Sequence, residues 1–143
     1  MNEIRIYLAG GCRSGWQDCI MAAFEEPFGE WLDLKFVDPR QHGLKDPVAY
    51  TERDLRDIRD CDILFAVIES DNPAGANLFL EVGYAKALGK QIVFCELGND
   101  YRARYCAMAR EAADYTANGL GVAMMGLKAM IHARRGYEQR YSA

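Results

Sequence analysis

The sequence predicts an α/β protein built as one three-layer domain, a parallel β-sheet with helices on both faces. Two observations carry this. Short apolar runs alternate with segments of helical periodicity, and each apolar run ends in a polar, turn-forming stretch. The chain has 143 residues, half of them hydrophobic, which is enough for a single core spanning residues 1–143 without metal or disulfide staples.

Taken in order, Ile4 to Leu8 reads as a buried parallel strand ending in Ala9-Gly10-Gly11. Ser14-Gly15-Trp16-Gln17 has the S-x-x-Q spacing of a capping box, followed by Trp16, Ile20, Ala23 and Phe24 at helical intervals. Leu32 to Val37 is a second strand, stopped by Asp38-Pro39. Asp46-Pro47 is a cap with proline at the first helical position, opening a helix to about Cys61. Ile63 to Ile68, with no charge, reads as a central strand, followed by the turn-rich loop Glu69 to Gly75. A helix starting between Ala74 and Asn77 runs to Leu88, with Gly89 as C-cap, and Gln91 to Cys95 is the fourth strand. Asp100 to Ala113 and Leu120 to Arg135 are helical, with a short strand near Tyr115. The Met124, Met125 and Met130 cluster reads as core or subunit interface.

In such a sheet ligands sit beyond the carboxyl ends of the strands. Three polar segments fall there, Gly10 to Gly15, Asp38 to His42 and Glu69 to Gly75, and are candidates for one shared pocket.

Composition excludes several classes. A net charge of −4 gives no general grip on polymeric nucleic acid. No apolar run reaches the ~20 residues of a membrane helix, and no secretory leader is evident, so the expectation is a cytoplasmic protein without a membrane partner. The five cysteines, Cys12, Cys19, Cys61, Cys95 and Cys106, are scattered without a C-x-x-C pair and read as structural thiols. His42 is too solitary for a metal site, and His132 lies in the terminal helix. The serine-hydrolase, P-loop and dinucleotide patterns are absent. No metal and no cofactor is expected.

Two carboxylates stand out. Glu81 falls in the stripe Leu78, Glu81, Ala85, Leu88 that faces the sheet, in the early turns of its helix and next to Gly83. Burying a carboxylate costs several kcal/mol unless it is paired or used, so a cationic partner, simple exposure at the edge of the stripe, or catalysis accounts for it. Asp54 lies at the margin of the apolar face of the preceding helix, as a solvated aspartate or a second functional acid. Paired carboxylates are the equipment of glycosyl transfer. Arg13, with the amides around Ser14 and Gly15, is either an anion seat or a capping turn with a solvated arginine. Trp16 either stacks on a nucleobase or begins the apolar stripe of its helix.

The segments Ile6-Tyr7-Leu8-Ala9-Gly10, Asp54-Leu55-x-x-Ile58-x-x-x-Asp62, Asn72-Pro73-x-Gly75, and Glu81-Val82-Gly83-Tyr84-Ala85 with Gly89-Lys90 resemble the nucleoside 2-deoxyribosyltransferase family, over residues 4 to 95. The resemblance implies a flavodoxin-like or Rossmann-like fold, homo-oligomers whose sites are completed by a neighbouring chain, and no cofactor. It implies Glu81 as the nucleophile at C1′ of a nucleoside or nucleotide, Asp54 as the acid that orders the site and assists the base, and Tyr7 as a residue near nucleophile and sugar. A second base would act as acceptor in a transferase. The spacing between turn and glutamate is longer here than the family usually has, and Asp71, Asn72 and Gly75 are assigned to base or sugar contact. The loop Gly10, Cys12, Arg13, Ser14, Gly15 is also similar to that of related enzymes that hydrolyse nucleoside 5′-monophosphates, so transfer and hydrolysis both stay open.

Overall fold

The computed structural model describes residues 3–25, 29–69, 76–98 and 104–141. Five parallel strands, β1 (Ile4–Gly10), β2 (Leu34–Val37), β3 (Ile63–Ile68), β4 (Gln91–Glu96) and β5 (Tyr115–Ala117), form one sheet in the order β2-β1-β3-β4-β5. This is the flavodoxin-like order, in which the chain moves outward in opposite directions on the two sides of β1. The resulting crevice lies at the carboxyl ends of β1 and β3, which pair in register from Ile6 with Ile63 to Gly10 with Val67.

The helices α1 (Trp16–Ala23) and α5 (Leu120–Tyr141) cover one face, and α2 (Pro47–Asp60), α3 (Ala76–Ala87) and α4 (Ala107–Ala112) cover the other. Alternation along β1 divides the core. Ile4, Ile6 and Leu8 join Trp16, Ile20, Leu127 and Ile131, whereas Tyr7 and Ala9 join Ile58, Leu64, Leu78 and Val82. Because β3 is buried throughout, its uninterrupted apolar run is what a strand covered on both sides requires.

The helix boundaries follow local chemistry. Asp46 caps α2 by accepting from the Ala49 N–H at 3.0 Å, with Pro47 at the first position. Gly89 ends α3 at φ +72°, and the Lys90 N–H returns to the Ala85 carbonyl at 3.0 Å. The first helix departs from the expected capping box. Gly15, at φ 70°, is its N-cap, no side chain caps it, and the Gln17 amide is drawn inward to donate to the Gly11 carbonyl at 3.0 Å. Strand β2 starts at Leu34 rather than Leu32, whose side chain is 85% exposed. At the far end α5 continues past Arg135, which pairs with Asp33 and lies over the Trp31 ring. The expected start of the fourth helix at Asp100 lies outside the described residues; from Arg104 the chain makes a 3-10 turn and then α4. No helix among the described residues is long and apolar enough to cross a membrane.

Candidate functional site

At the carboxyl end of β1 the strand must stop without clashing with β3. Gly10 adopts φ +140°, and a Cβ there would stand 2.1 Å from the Val67 carbonyl oxygen, so only glycine fits. The chain then turns through residues 11–15 into α1. This turn, the segment after β2 and the facing sides of α2 and α3 enclose a cleft of about 410 Å³, within the range of small-molecule sites. Its walls carry Tyr7, Gly10, Gly11, Cys12, Arg13, Pro39, Arg40, Asp54, Asn77, Leu78 and Glu81. A smaller outer lobe of about 110 Å³, lined by Tyr50, Thr51, Leu55 and the exposed Leu80, shares Asp54, Asn77 and Glu81 with it.

Tyr7, Asp54 and Glu81 therefore meet, although they come from β1, α2 and α3. Glu81 is partly buried, next to the buried Val82 and one turn from the buried Leu78 and Ala85. Its carboxyl is pushed up to about 7, chiefly by burial; the Tyr7 hydroxyl pulls it down, and the like charge of Asp54 adds to the rise. The helix dipole does not dominate, because Glu81 lies beyond the first turn of the described α3. Tyr7 is completely buried, and its hydroxyl has no hydrogen bond of good geometry, so it reaches Glu81 only through a loose interaction. Burial and the adjacent carboxylates raise the phenol far above its ordinary range, which keeps it a neutral donor. A buried orphan hydroxyl costs about 1–3 kcal/mol in stability. Gly83 is exposed with open space beside its Cα, and does not line the cleft.

Asp54 has a partner that the sequence pattern did not reveal. The His42 Nε2 lies 2.9 Å from Asp54 Oδ1, and the imidazole is 9% exposed. The Leu44 N–H donates to His42 Nδ1 at 3.0 Å. Since Nδ1 is thereby an acceptor, the ring hydrogen resides on Nε2 and is donated to Asp54. The available signal was positional: His42 closes the polar segment after β2, one of the three stretches expected at the strand ends.

The β1–α1 turn is arranged differently from an open anion seat. The Ser14 N–H donates to Glu69 Oε2 at 2.6 Å and the Arg13 N–H to Glu69 Oε1 at 3.4 Å. Ser14 and Gly15 do not line the cleft, whereas Cys12 and Arg13 do. Trp16 is 1% exposed, donates from its indole nitrogen to the Gly11 carbonyl at 2.8 Å and packs near Phe65. Its indole belongs to the core beneath the turn, the apolar-stripe alternative of the two, and does not line the cleft as a substrate contact. Arg40 is a cleft residue the sequence reading passed over. Its guanidinium is held by Asp38 at 2.7 Å and by Asp18 at 2.8 Å. Asp71, Asn72 and Gly75 lie outside the described residues.

Burial pushes the thiols of Cys61 and Cys106 up to about 11 and that of Cys95 to about 12, so none is a nucleophile at neutral pH. No group of three or more His, Cys, Asp or Glu residues among the described residues is arranged to hold a metal ion.

Comparisons with known proteins bear on the fold and the family. Of solved structures, the chain is similar to a CMP N-glycosidase from Clostridium botulinum, with TM-score 0.57 and 19% identity over 87% of this chain and 98% of that one. It is also similar to a 2-desoxiribosyltransferase from Leishmania mexicana, with TM-score 0.51 and 20% identity over 65% of this chain; it spans 64% of that enzyme's length. At such identities the likeness is one of fold. No individual curated protein matches the sequence. Residues 3–99 match the family model described as nucleoside 2-deoxyribosyltransferase like. That span holds β1 to β4 and every cleft residue named above, and the chain belongs to the nucleoside 2-deoxyribosyltransferase-like family.

Proposed function

We propose that this protein cleaves the N-glycosidic bond of a nucleoside or nucleotide and transfers the (2-deoxy)ribosyl group between nucleobases through a covalent glycosyl-Glu81 intermediate. The observation that carries the reading is a partly buried carboxyl raised to about 7, set in a cleft beside a second carboxylate and a neutral phenol. Near neutral pH a large fraction of Glu81 is ionised and poorly solvated, which favours attack on an electrophilic carbon.

In this mechanism the sugar lies over Glu81. A carboxylate oxygen bonds to C1′ as the C1′–N bond breaks, and that electron pair leaves with the base. Tyr7, an uncharged donor beside the nucleophile, orients its oxygen. Asp54, fixed by His42, holds a polarised water that delivers a proton to the departing nitrogen and regains one from the incoming base. A nitrogen of a second base then attacks C1′ and frees Glu81. If water attacks instead, the outcome is hydrolysis, the activity named for the Clostridium enzyme. Either route makes two displacements and retains configuration. A neighbouring chain completing the site is part of this reading, and Leu80, 60% exposed in the outer lobe, is an apolar group available to it.

The test is intact-mass detection of a glycosyl adduct on incubation with deoxynucleosides, ribonucleosides and their monophosphates, with and without an acceptor base. Wild-type protein releases base and shows the adduct. Glu81→Gln shows no adduct and loses turnover by at least about a thousandfold. Ligand-induced stabilisation without base release would identify a binding domain instead.

A further inference from the structure

Glu69 directly follows β3 and is 5% exposed. Its two oxygens face the N–H groups of Ser14, at 2.6 Å, and Arg13, at 3.4 Å. These amides belong to the turn that passes β1 to α1, where an incoming anion would be held by backbone donors. A carboxylate of the chain already stands in that place. Charge-assisted bonds of this kind are short and strong, as the 2.6 Å contact is.

A second observation is independent of the turn. Arg40, the cation on the opposite wall, is bound by Asp38 and Asp18. Asp54 and Glu81 thus line the cleft as carboxylates, while Glu69 holds the turn amides and Asp18 and Asp38 hold the Arg40 guanidinium. A dianion entering this setting would meet like charge and would have to expel Glu69 from buried hydrogen bonds.

The orientation of a substrate links these facts to specificity and rests on the reading proposed above. With C1′ at Glu81 and the base toward Asp54 and the outer lobe, the 5′ end of the sugar is left with the Gly10–Arg13 turn and with Arg40, whose guanidinium Asp18 and Asp38 already hold. We infer that Glu69 is a specificity-determining residue that fills the anion seat of the β1–α1 turn, so that the site takes nucleosides with a free 5′-hydroxyl and rejects nucleoside 5′-monophosphates. The discrimination is by an internal like charge rather than by shape.

Thermal unfolding with inorganic phosphate, against sodium chloride at matched ionic strength, tests the filled seat without reference to catalysis. Wild-type protein should show no phosphate-specific stabilisation. Glu69→Ala should gain it, and Glu69→Gln, which keeps the shape but removes the charge, should gain a smaller shift and serves if the alanine variant does not fold. Phosphate stabilising the wild type as much as the variants, or neither variant, overturns the inference. Kinetics with a deoxynucleoside and its 5′-monophosphate supply the second arm. The wild-type kcat/KM should favour the nucleoside by at least about tenfold, and Glu69→Gln should narrow that ratio. A wild type that prefers the monophosphate overturns the inference as well. Absence of base release from both substrates would instead strike the proposed reaction, while the phosphate arm would still decide the role of Glu69.

Discussion

The two faces of β1 are built from neighbouring residues but to opposite ends. Toward α1 and α5 the strand presents Ile4, Ile6 and Leu8 to an apolar layer that includes Trp16, Phe24, Trp31 and Leu127. Toward α2 and α3 it presents Tyr7, whose hydroxyl is buried without a well-formed hydrogen bond, opposite a carboxyl raised to about 7. The first face gains stability from every side chain on it. On the second, one orphan hydroxyl and one desolvated carboxyl cost stability and make a reactive cleft, so a strand shared by both faces lets the first support the second.

The contrast is broken most severely by exchanging one residue on each face. Leu8→Ala, in the closed layer, should lower stability by about 2–5 kcal/mol and leave the turnover of the folded fraction unchanged, measured by denaturant unfolding and by activity below the transition. Glu81→Gln should abolish turnover and raise stability, with a definite pH dependence. The carboxyl titrates at about 7 in the folded chain against an ordinary value of 4.5. Between those values the folded chain holds a proton that the unfolded chain has lost, so wild-type stability falls as pH rises through the window and is level above it. The advantage of Glu81→Gln should be absent below about pH 4.5 and reach on the order of 3 kcal/mol above pH 7. Parallel unfolding curves for the two proteins across that range would remove the raised carboxyl from the account.

Tyr7→Phe sharpens the comparison, because it deletes the orphan hydroxyl while keeping the ring in the core. Stability should stay level or rise by about 1 kcal/mol. The phenol lowers the Glu81 carboxyl against the effect of burial, so its loss should move the acid limb of the kcat/KM profile upward from about 7. Turnover near neutrality should drop by about ten- to a hundredfold. An unmoved acid limb would mean that Tyr7 does not sense the nucleophile.

The closed face was legible in the sequence and the open one only in part, for a physical reason. Periodicity reports burial, and burial decides where Ile6, Leu8 and Ile20 go, so strands, helices and sheet class follow from pattern. Glu81 and Asp54 were visible because they interrupt that pattern. Their meeting with Tyr7 was implied by family resemblance, since spacing along the chain carries no distance between helices. His42 and Glu69 break no apolar stripe. Each acts through a hydrogen bond to a residue 12 or 55–56 positions away, His42 to Asp54 and Glu69 to Arg13 and Ser14, and such pairs have no local signature. Trp16 was ambiguous for another reason, because a large aromatic beside a glycine-rich turn serves equally as a stacking platform or as the floor beneath the turn, and here it is the floor.

His42 gives the smallest expected effect and the finest test of how the open face is held. Its imidazole is fixed from both ends, the Leu44 N–H occupying Nδ1 and Asp54 accepting from Nε2. If its task is to aim Asp54, His42→Ala should lower kcat by about tenfold with little change in KM, because the leaving base, and not the ground-state contact, loses the proton delivery that Asp54 orders. His42→Gln, whose amide N–H can still donate to Asp54, should recover part of that loss. A purely structural histidine predicts otherwise: both variants would lose thermal stability together, with kcat of the folded enzyme intact. Substrates carrying a good leaving group separate the two further. A base that departs without protonation should erase the kcat defect of His42→Ala, while the defect of Glu81→Gln should persist, since attack at C1′ is needed whatever leaves.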